Sequence, residues 1–325
     1  MASSFYDQVS ANRRNSFLLA LVVVALLSAL GFSIGYALTG SAGGGIGATV
    51  IAVVIGTLAA LGSYFGGDRL VLAASQAKEV DEAAAPQLMN VVREMAIAAN
   101  VPMPRVYLID DTAPNAFATG RDPQHASIAI TTGLVEKLDR EELQGVIGHE
   151  MSHVRNFDIR FSLIVGVLVG SVALLSDFFL RWTWFGGGGR RSSNDREGGG
   201  ALQAVMMVLA IVLAILAPIA ARLVQLAVSR QREYLADASS VELTRNPYGI
   251  ERALAKISSD QEVLEVANRA TQHLYFTNPI KKFEERSSSL FSTHPAIVDR
   301  INRLRELTGD KPLEAAEVTA LSGLD

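Results

Sequence analysis

The chain has 325 residues, of which 49% are hydrophobic and only 19% are charged, with a formal net charge of −4. Soluble globular proteins carry about 25% charged residues, so this composition argues against a wholly soluble protein. The slightly acidic balance gives no support for a nucleic-acid partner. Because the chain has no cysteine, disulfides and cysteine-ligated zinc sites are excluded. Any metal here would be held by histidine and carboxylate, and the composition fits a reducing compartment.

The shortage of charge is concentrated in four apolar runs of about 20 residues each, which suits the roughly 30 Å core of a bilayer at 1.5 Å per helical residue. We therefore predict four membrane-spanning helices rather than four buried helices of a large soluble core. The runs are 17–38, 46–65, 161–180 and 201–221, and Asp177 is the one charge within them.

The first apolar run has the flanks of a cleaved signal peptide but not its length. Arg13 and Arg14 precede it, and small residues follow it at 40–42. The run exceeds the usual apolar region of about 7–15 residues, and a second run follows at once. We therefore predict a retained membrane hairpin. Positive residues collect on the cytoplasmic side of a membrane, so the arginine pair places the N-terminus inside.

The soluble stretch after this hairpin has mixed helix and strand signals. Pro86 suits the first turn of a helix, and 87–99 has a helix-forming composition. Residues 105–109 and 127–131 alternate or carry β-branched side chains, which predicts short strands. Residues 115–120, between them, are interpreted as a strand or a loop.

Asp139 and Glu142 have the spacing of a capping box, which predicts a helix over 142–158. No proline separates it from the third apolar run, so we expect one continuous helix into the membrane. This helix carries the H-E-x-x-H sequence His149-Glu150-Met151-Ser152-His153. Residues i and i+4 share a helical face, so both imidazoles can reach one metal ion, with Glu150 beside them. A surface helix with two solvated histidines is the alternative.

A catalytic zinc site needs a third protein ligand, and Glu233 is the best candidate. Asp237 lies one helical turn later, where it could accept the N–H of a ligating histidine. A solvated carboxylate pair is the alternative. His153 lies eight residues before the third run and Glu233 twelve after the fourth. Both would stand about 12–18 Å beyond the membrane boundary. Since two crossings separate them, both emerge on the same side.

Polar residues lie between the H-E-x-x-H sequence and the third apolar run: Arg155, Asn156, Asp158 and Arg160. A charge at the bilayer centre costs about 2.5–3.5 kcal/mol even on the most lenient scale. The site is therefore predicted to stand in water, which argues against an intramembrane metalloprotease.

The predicted fold is mainly α and integral to the membrane, with four apolar helices and a zincin-like α+β catalytic domain containing a small sheet. Residues 1–65 comprise the N-terminal region and the first hairpin, and 160–222 the second hairpin. The catalytic domain is divided between 66–159, which carries H-E-x-x-H, and 223–325, which carries the third ligand. The linker at 186–200 is rich in glycine and charge, and the sequence indicates no role for it.

These motifs resemble the HtpX-type membrane zinc metalloproteases, relatives of the CAAX-prenyl endopeptidases. H-E-x-x-H alone is moderately specific, but joined to E-Y-x-A-D across a membrane hairpin it is highly specific. The resemblance covers most of the chain, in the order of two N-terminal spans, Pro114-Asn115-Ala116-Phe117-Ala118-Thr119-Gly120, His149 to His153 with Asp158, the second hairpin, Glu233-Tyr234-Leu235-Ala236-Asp237, and Thr293-His294-Pro295 with Arg300-Ile301.

The resemblance implies a zinc endopeptidase with one Zn²⁺ per subunit, bound by His149, His153 and Glu233, with Glu150 as the base and Asp158 as a supporting carboxylate. It implies substrates that are misfolded or surplus membrane proteins and other unfolded polypeptides. Cleavage would take place on the cytoplasmic side of a bacterial inner membrane, in quality control and the stress response.

The same resemblance implies that a segment before the metal motif lies on an edge strand and aligns extended substrate by strand addition. An ordinary loop is the alternative for this segment. Its residues are Asn115, Ala116, Phe117 and Ala118.

The remaining histidines lie outside the H-E-x-x-H sequence. Stabilising the oxyanion needs a hydrogen-bond donor besides the metal. His294 is a candidate donor because it precedes Pro295 at the head of an amphipathic run, and a helix-capping role is the alternative. His125 and His273 have no partner motif and are predicted to be surface residues.

The charges in the second hairpin conflict with this orientation. If 66–159 and 223–325 are cytoplasmic, the linker arginines face outward, against the positive-inside rule. Either the linker crosses despite the rule, or the second hairpin only partly spans. These arginines are Arg181, Arg190, Arg191 and Arg196.

Two other function classes stay open on sequence alone. One is a membrane chaperone or scaffold that binds clients without cutting them, which an intact H-E-x-x-H with Glu233 disfavours. The other is a membrane zinc enzyme of a different reaction class. The predicted partners are the lipid bilayer and polypeptide substrates, with no nucleic acid; the sequence does not indicate the oligomeric state.

Overall fold

The computed structural model describes residues 5–186, 200–260, 262, 276 and 295–321. The elements in these ranges are α1 (Phe5–Thr39), α2 (Ala42–Ala74), β1 (Lys78–Glu79), α3 (Pro86–Ala99), β2 (Arg105–Ile109), β3 (Ala116–Gly120), β4 (Ala126–Thr131), α4 (Thr132–Lys137), α5 (Arg140–Arg155), α6 (Asp158–Arg181), α7 (Gly200–Thr244), α8 (Pro247–Ser259), α9 (Ile297–Thr308) and α10 (Ala315–Leu321). A short 3₁₀ turn (Pro123–His125) precedes β4, and a π-helical turn (Trp182–Gly186) follows α6.

Among these helices, α1, α2, α6 and α7 are long and apolar enough to cross a membrane. The predicted mainly α membrane architecture with a small sheet is therefore confirmed. The chain divides into two compact units, one made of Arg13–Ser63 and Leu163–Val228 and the other of Met1–Asn12, Tyr64–Ser162 and Ser229–Asp325.

The first unit has the packing expected of helices in lipid. Its outward side chains are large and apolar, and Leu174 is 73% exposed. Helices α1 and α2 approach closely, because a Cβ atom at Gly35 would collide with the backbone of Gly44. Ser28 and Ser33 each donate a hydroxyl hydrogen bond to the carbonyl four residues earlier, at 2.8 and 2.7 Å. Polar groups are thereby satisfied within the helix, as a hydrocarbon environment requires.

The second unit is built on a four-stranded sheet of order β1-β2-β4-β3. Strand β2 runs parallel to β4, whereas β1 and β3 are antiparallel to their neighbours. One face of the sheet packs against α3, α5 and α8 in a core that includes Ile128, Val91, Val146 and Leu254. The sheet and its helices therefore fix the position of α5, which carries the H-E-x-x-H sequence.

The local predictions for this unit are confirmed at most elements. Helix α3 begins at Pro86, as the N-terminal proline predicted, and β2 covers the predicted 105–109. Strand β4 includes the predicted 127–131. The ambiguous segment 115–120 proves to be a strand over Ala116–Gly120. The capping box of α5 is also present in full.

The prediction of one continuous helix from the H-E-x-x-H sequence into the third apolar run is wrong. Helix α5 ends at Arg155, and α6 begins at Asp158. Between them Phe157 has a left-handed backbone with φ of 62°. Around an unbroken helix, residues five positions apart point about 140° away from each other. Because of the break, the Asp158 carboxylate instead lies 3.1 Å from Nδ1 of His153.

The fourth apolar run, by contrast, continues without interruption. Helix α7 extends from Gly200 to Thr244 and carries Pro218 inside it. Glu233 and Asp237 lie on its C-terminal part, one turn apart on the same face, as predicted.

Candidate metal centre

Close packing holds α5 at the centre of the second unit. Its N-terminus is capped by Asp139, whose carboxylate accepts the N–H of Glu142 at 2.9 Å. At Gly145 a Cβ atom would lie 2.6 Å from the backbone nitrogen of Ile250, so only glycine permits this approach of α8. The hydroxyl of Ser240 on α7 donates to the Gly145 carbonyl at 2.6 Å. These contacts set α5 and the C-terminal part of α7 side by side.

The three predicted metal ligands meet between these helices. Donor atoms of His149, His153 and Glu233 all lie within 4.8 Å of one another. The two Nε2 atoms are 3.1 Å apart, and each is 3.6 Å from a carboxylate oxygen of Glu233. Ligands bound to one tetrahedral zinc ion at about 2.0–2.2 Å lie roughly 3.3–3.6 Å apart. The two distances to Glu233 fall within this range and the distance between the Nε2 atoms lies just below it, so the cluster is close to the spacing that a small tetrahedral cation requires.

The ring of His149 is held in place by a hydrogen bond at Nδ1, the ring nitrogen that does not face the other ligands. Nδ1 of His149 lies 2.9 Å from Oδ1 of Asp237, so the predicted supporting role of this carboxylate has the required geometry. With Nδ1 donating, Nε2 keeps its lone pair for a metal. Asp237 is in turn bound by both sides of the Arg300 guanidinium, with Nη2 at 2.7 Å and Nε at 2.9 Å. Such a two-point pair fixes the carboxylate in direction as well as distance.

The buried charges around the ligand atoms also fit a divalent cation. In the described part of the chain they are four carboxylates and two guanidinium groups: Glu150, Asp158, Glu233 and Asp237, with Arg232 and Arg300. With all four acids ionised, four negative and two positive charges leave −2. Buried charge is costly unless it is compensated. A divalent cation at the ligand atoms would make this cluster neutral.

The chain is similar to known proteins over most of its length. The sequence model of peptidase family M48 matches residues 82–308. A "Protease HtpX homolog" of Streptococcus mutans is 49% identical over 302 residues, 93% of this chain and 99% of that protein. Another from Streptococcus pneumoniae is 47% identical over 304 residues, with the same coverage.

The chain belongs to peptidase family M48. It is accordingly a membrane metalloendopeptidase of the HtpX type, which confirms the predicted family and enzyme class. Among solved structures, S. mikatae Ste24p matches with a TM-score of 0.49 and 18% identity, covering 78% of this chain. The chain spans 57% of the length of that protein.

In this M48 chain, Glu150 lies beside the ligands in a dry environment. Burial raises the pKa of Glu150 to about 7, and the nearby carboxylate of Glu233 acts in the same direction. A hydrogen bond from the backbone N–H of Ala118 and the charge of His153 act in the opposite direction. A carboxyl group that exchanges its proton near neutral pH suits general acid–base catalysis.

The two histidines differ electrostatically when no metal is bound. Burial lowers the pKa of His149 to about 4, so this ring is neutral. Burial also lowers the pKa of His153, but the Asp158 hydrogen bond and the charge of Glu233 outweigh it and raise the value to about 9. For His153 to bind a metal through Nε2, its ring would therefore have to give up a proton.

A cavity opens at the predicted metal ligands. It is bordered by Ala118 of the edge strand, by the candidate base Glu150 and by Arg232 of α7. The predicted substrate-binding segment thus lies against the metal site. Sequence position gives no hint of this proximity, because Ala118 and Arg232 are far apart along the chain.

Strand β3 is at the edge of the sheet, but its side chains are packed largely inside the protein. Asn115, Ala116, Phe117 and Ala118 are all buried. Phe117 belongs to a small core with Tyr107 on the opposite face of the sheet. Of their main-chain groups, the carbonyl of Ala116 points away from β4, since it accepts the N–H of Phe276.

Three neighbours of the site have no role in the sequence analysis. Arg300 appears there only as part of a motif, and Arg232 and Phe276 do not appear. Phe276 packs edge-on against His149 with ring centroids 4.8 Å apart, and its N–H donates to the Ala116 carbonyl at 2.7 Å. No local spacing relates these side chains to the H-E-x-x-H sequence. What marks these side chains as part of the site is their burial beside the ligand atoms, and burial is visible only in the folded chain.

Two of the other histidines lie outside the described residues, namely His294, the candidate oxyanion donor, and His273. The linker at 187–199 lies outside them as well. His125 is exposed, as predicted, and hydrogen-bonds to Asp122 at 2.6 Å.

Proposed function

We propose that this M48 protease uses Zn²⁺, one ion per subunit, to hydrolyse peptide bonds of misfolded or surplus membrane proteins. Its active site would face the cytoplasm at a bacterial inner membrane, where it serves quality control and the stress response. The observation that carries the proposal is the largely buried cluster of His149, His153 and Glu233 at the wall of a cavity bordered by an edge strand.

Zinc suits the donor set, because two imidazoles and one carboxylate are the protein ligands of a common class of catalytic zinc sites. When bound, the ion would supply Lewis acidity to the scissile carbonyl and to the attacking water. Glu150 would take a proton from that water on its carboxylate and pass it to the leaving amine. The Ala118 hydrogen bond holds this carboxylate next to the strand that would present the substrate.

Substrate alignment along β3 explains why unfolded polypeptides are the proposed class. The other sheet edge, β1, is two residues long and carries the exposed charges of Lys78 and Glu79, which discourage strand addition. At β3, main-chain hydrogen bonds would bind any extended segment with little dependence on its sequence. A substrate strand that pairs at Ala116 would exchange the hydrogen bond that Phe276 now donates.

Zinc dependence can be tested on the purified full-length protein. After dialysis against a strong chelator, cleavage of an unfolded membrane polypeptide should fall to background. One equivalent of Zn²⁺ per chain should restore it, because the described residues provide one cluster of three donors. Cleavage that survives complete metal removal, or full restoration by Mg²⁺ alone, would contradict the zinc assignment.

The cytoplasmic orientation can be tested by thiol labelling, since the natural chain has no cysteine. Two single-cysteine variants are needed: Glu306→Cys on the exposed surface of α9 and Ser193→Cys in the second linker. In intact cells an impermeant maleimide should label Ser193→Cys and spare Glu306→Cys. The reverse pattern would invert the proposed orientation. Protection of both would indicate that the second hairpin only partly spans.

A further inference from the structure

The Asp158 carboxylate lies between a candidate metal ligand and a buried arginine. Its Oδ2 atom is 3.1 Å from Nδ1 of His153, and its Oδ1 atom is 3.3 Å from Nε of Arg232. The side chains of Arg232 and Asp158 are only 6% and 8% exposed. The second histidine is thus supported by a carboxylate that forms an ion pair with an arginine, whereas Asp237 beside the first histidine accepts two hydrogen bonds from Arg300.

The two carboxylates differ in what fixes them in place. Asp237 lies one turn from Glu233 on the uninterrupted helix α7, so the backbone already positions it. Asp158 follows the break at Phe157 and belongs to a different helix from His153. Since the backbone turns sharply between them, a tertiary contact is needed to hold Asp158 in line with the histidine ring.

Arg232 provides that contact on two sides. Asp158 and Phe161 are three residues apart at the start of α6, so they share one helical face. The Arg232 guanidinium pairs with the carboxylate of Asp158, and its Cζ atom lies 3.5 Å from the centroid of the Phe161 ring. A planar guanidinium can stack and pair at once, which a lysine ammonium cannot do as well.

We propose that Arg232 is a positioning residue of the metal centre, acting on the metal through Asp158 and His153. It holds Asp158 so that Nδ1–H of His153 stays donated and Nε2 stays directed at the metal. The inference rests on the proposed zinc site. Its consequence is that Arg232 and Asp158 act as one unit: once either is lost, loss of the other adds little.

A double-mutant cycle on zinc affinity tests this coupling without relying on protease activity. The full-length protein, in detergent or nanodiscs, is titrated with Zn²⁺ against a chelator of known affinity. Arg232→Gln and Asp158→Asn should each weaken zinc binding by about 10–100-fold, the range typical of outer-shell partners. The double variant should be within about twofold of the weaker single variant, because the two losses share one mechanism.

Two further variants make the test decisive. Arg232→Lys keeps the charge but loses the planar group, so its zinc affinity should lie between those of wild type and Arg232→Gln. If Arg232→Gln does not fold, Arg232→Lys replaces it in the double-mutant cycle. Arg155→Gln is the matched control, since Arg155 lies on the ligand helix α5 but pairs with Glu242 on the surface. Its zinc affinity should equal that of wild type.

Several outcomes would overturn the proposal. Zinc affinity of Arg232→Gln equal to wild type would show that Arg232 does not act on the metal. Losses that multiply in the double variant would show that Arg232 and Asp158 act separately. A lower melting temperature for Arg232→Gln with unchanged zinc affinity would assign Arg232 a purely structural role. Absence of zinc binding by wild type would instead refute the zinc site itself, and this inference with it.

Discussion

Replacing Glu150 with glutamine should leave the metal site intact and remove peptide cleavage. Glutamine has nearly the same shape, and its Oε1 atom can still accept the N–H of Ala118 that the carboxylate accepts now. It cannot take a proton, however, and a general base contributes about 10²–10⁴-fold to the rate of such reactions. We therefore expect kcat to fall by about 10²–10⁴-fold while bound zinc per chain stays as in wild type.

The matched control is Glu141→Gln, in the first turn of the same helix. The side chain of Glu141 is 59% exposed and pairs with Arg252 at 3.0 Å. This variant should keep both zinc and cleavage. Normal turnover by Glu150→Gln would remove Glu150 from the mechanism. Loss of zinc from Glu150→Gln would show that this carboxylate helps to bind the metal.

Replacing Glu233 with alanine should prevent metal binding, whereas replacing Glu150 should affect only the catalytic step. The substitution deletes both carboxylate oxygens, of which Oε2 lies 3.6 Å from Nε2 of His149 and Oε1 lies 3.6 Å from Nε2 of His153. It also changes the buried charge, because three carboxylates would then face two guanidinium groups and a divalent cation would no longer be balanced. Zinc affinity should fall by more than the roughly 10–100-fold typical of residues that only support a ligand.

Zinc content at a fixed free-metal concentration checks this result, measured by elemental analysis after equilibration with a chelator. Glu242→Ala is the matched control, since Glu242 is on the same helix α7 and pairs with Arg155 at the surface. Full zinc occupancy of Glu233→Ala under these conditions would move the third ligand to another residue.

Sequence periodicity and local motifs predicted the parts of the site that lie within single elements. The i and i+4 spacings place the two histidines on one face of α5, and Glu233 and Asp237 on one face of α7. The capping box fixes the start of α5 in the same way. These patterns are readable because the physics behind them acts within one helical turn.

The features that the sequence did not predict depend on contacts between elements. No proline or glycine marks the break between α5 and α6, since Phe157 adopts a left-handed backbone without either residue. The break is accompanied by contacts between different elements, because Asp158 contacts His153 on one side and Arg232 on the other. The role of Arg300 is likewise invisible in sequence, because its partner Asp237 is 63 residues away along the chain.

The most direct test of the proposed function compares peptides released in membranes that contain either the wild-type chain or Glu150→Gln. If the protein is a zinc endopeptidase of unfolded membrane polypeptides, fragments of membrane proteins should accumulate with wild type and be absent with Glu150→Gln. Their cleavage sites should lie in extended or unfolded segments and share little sequence preference. Identical peptide sets from the two membranes would contradict proteolysis at this site.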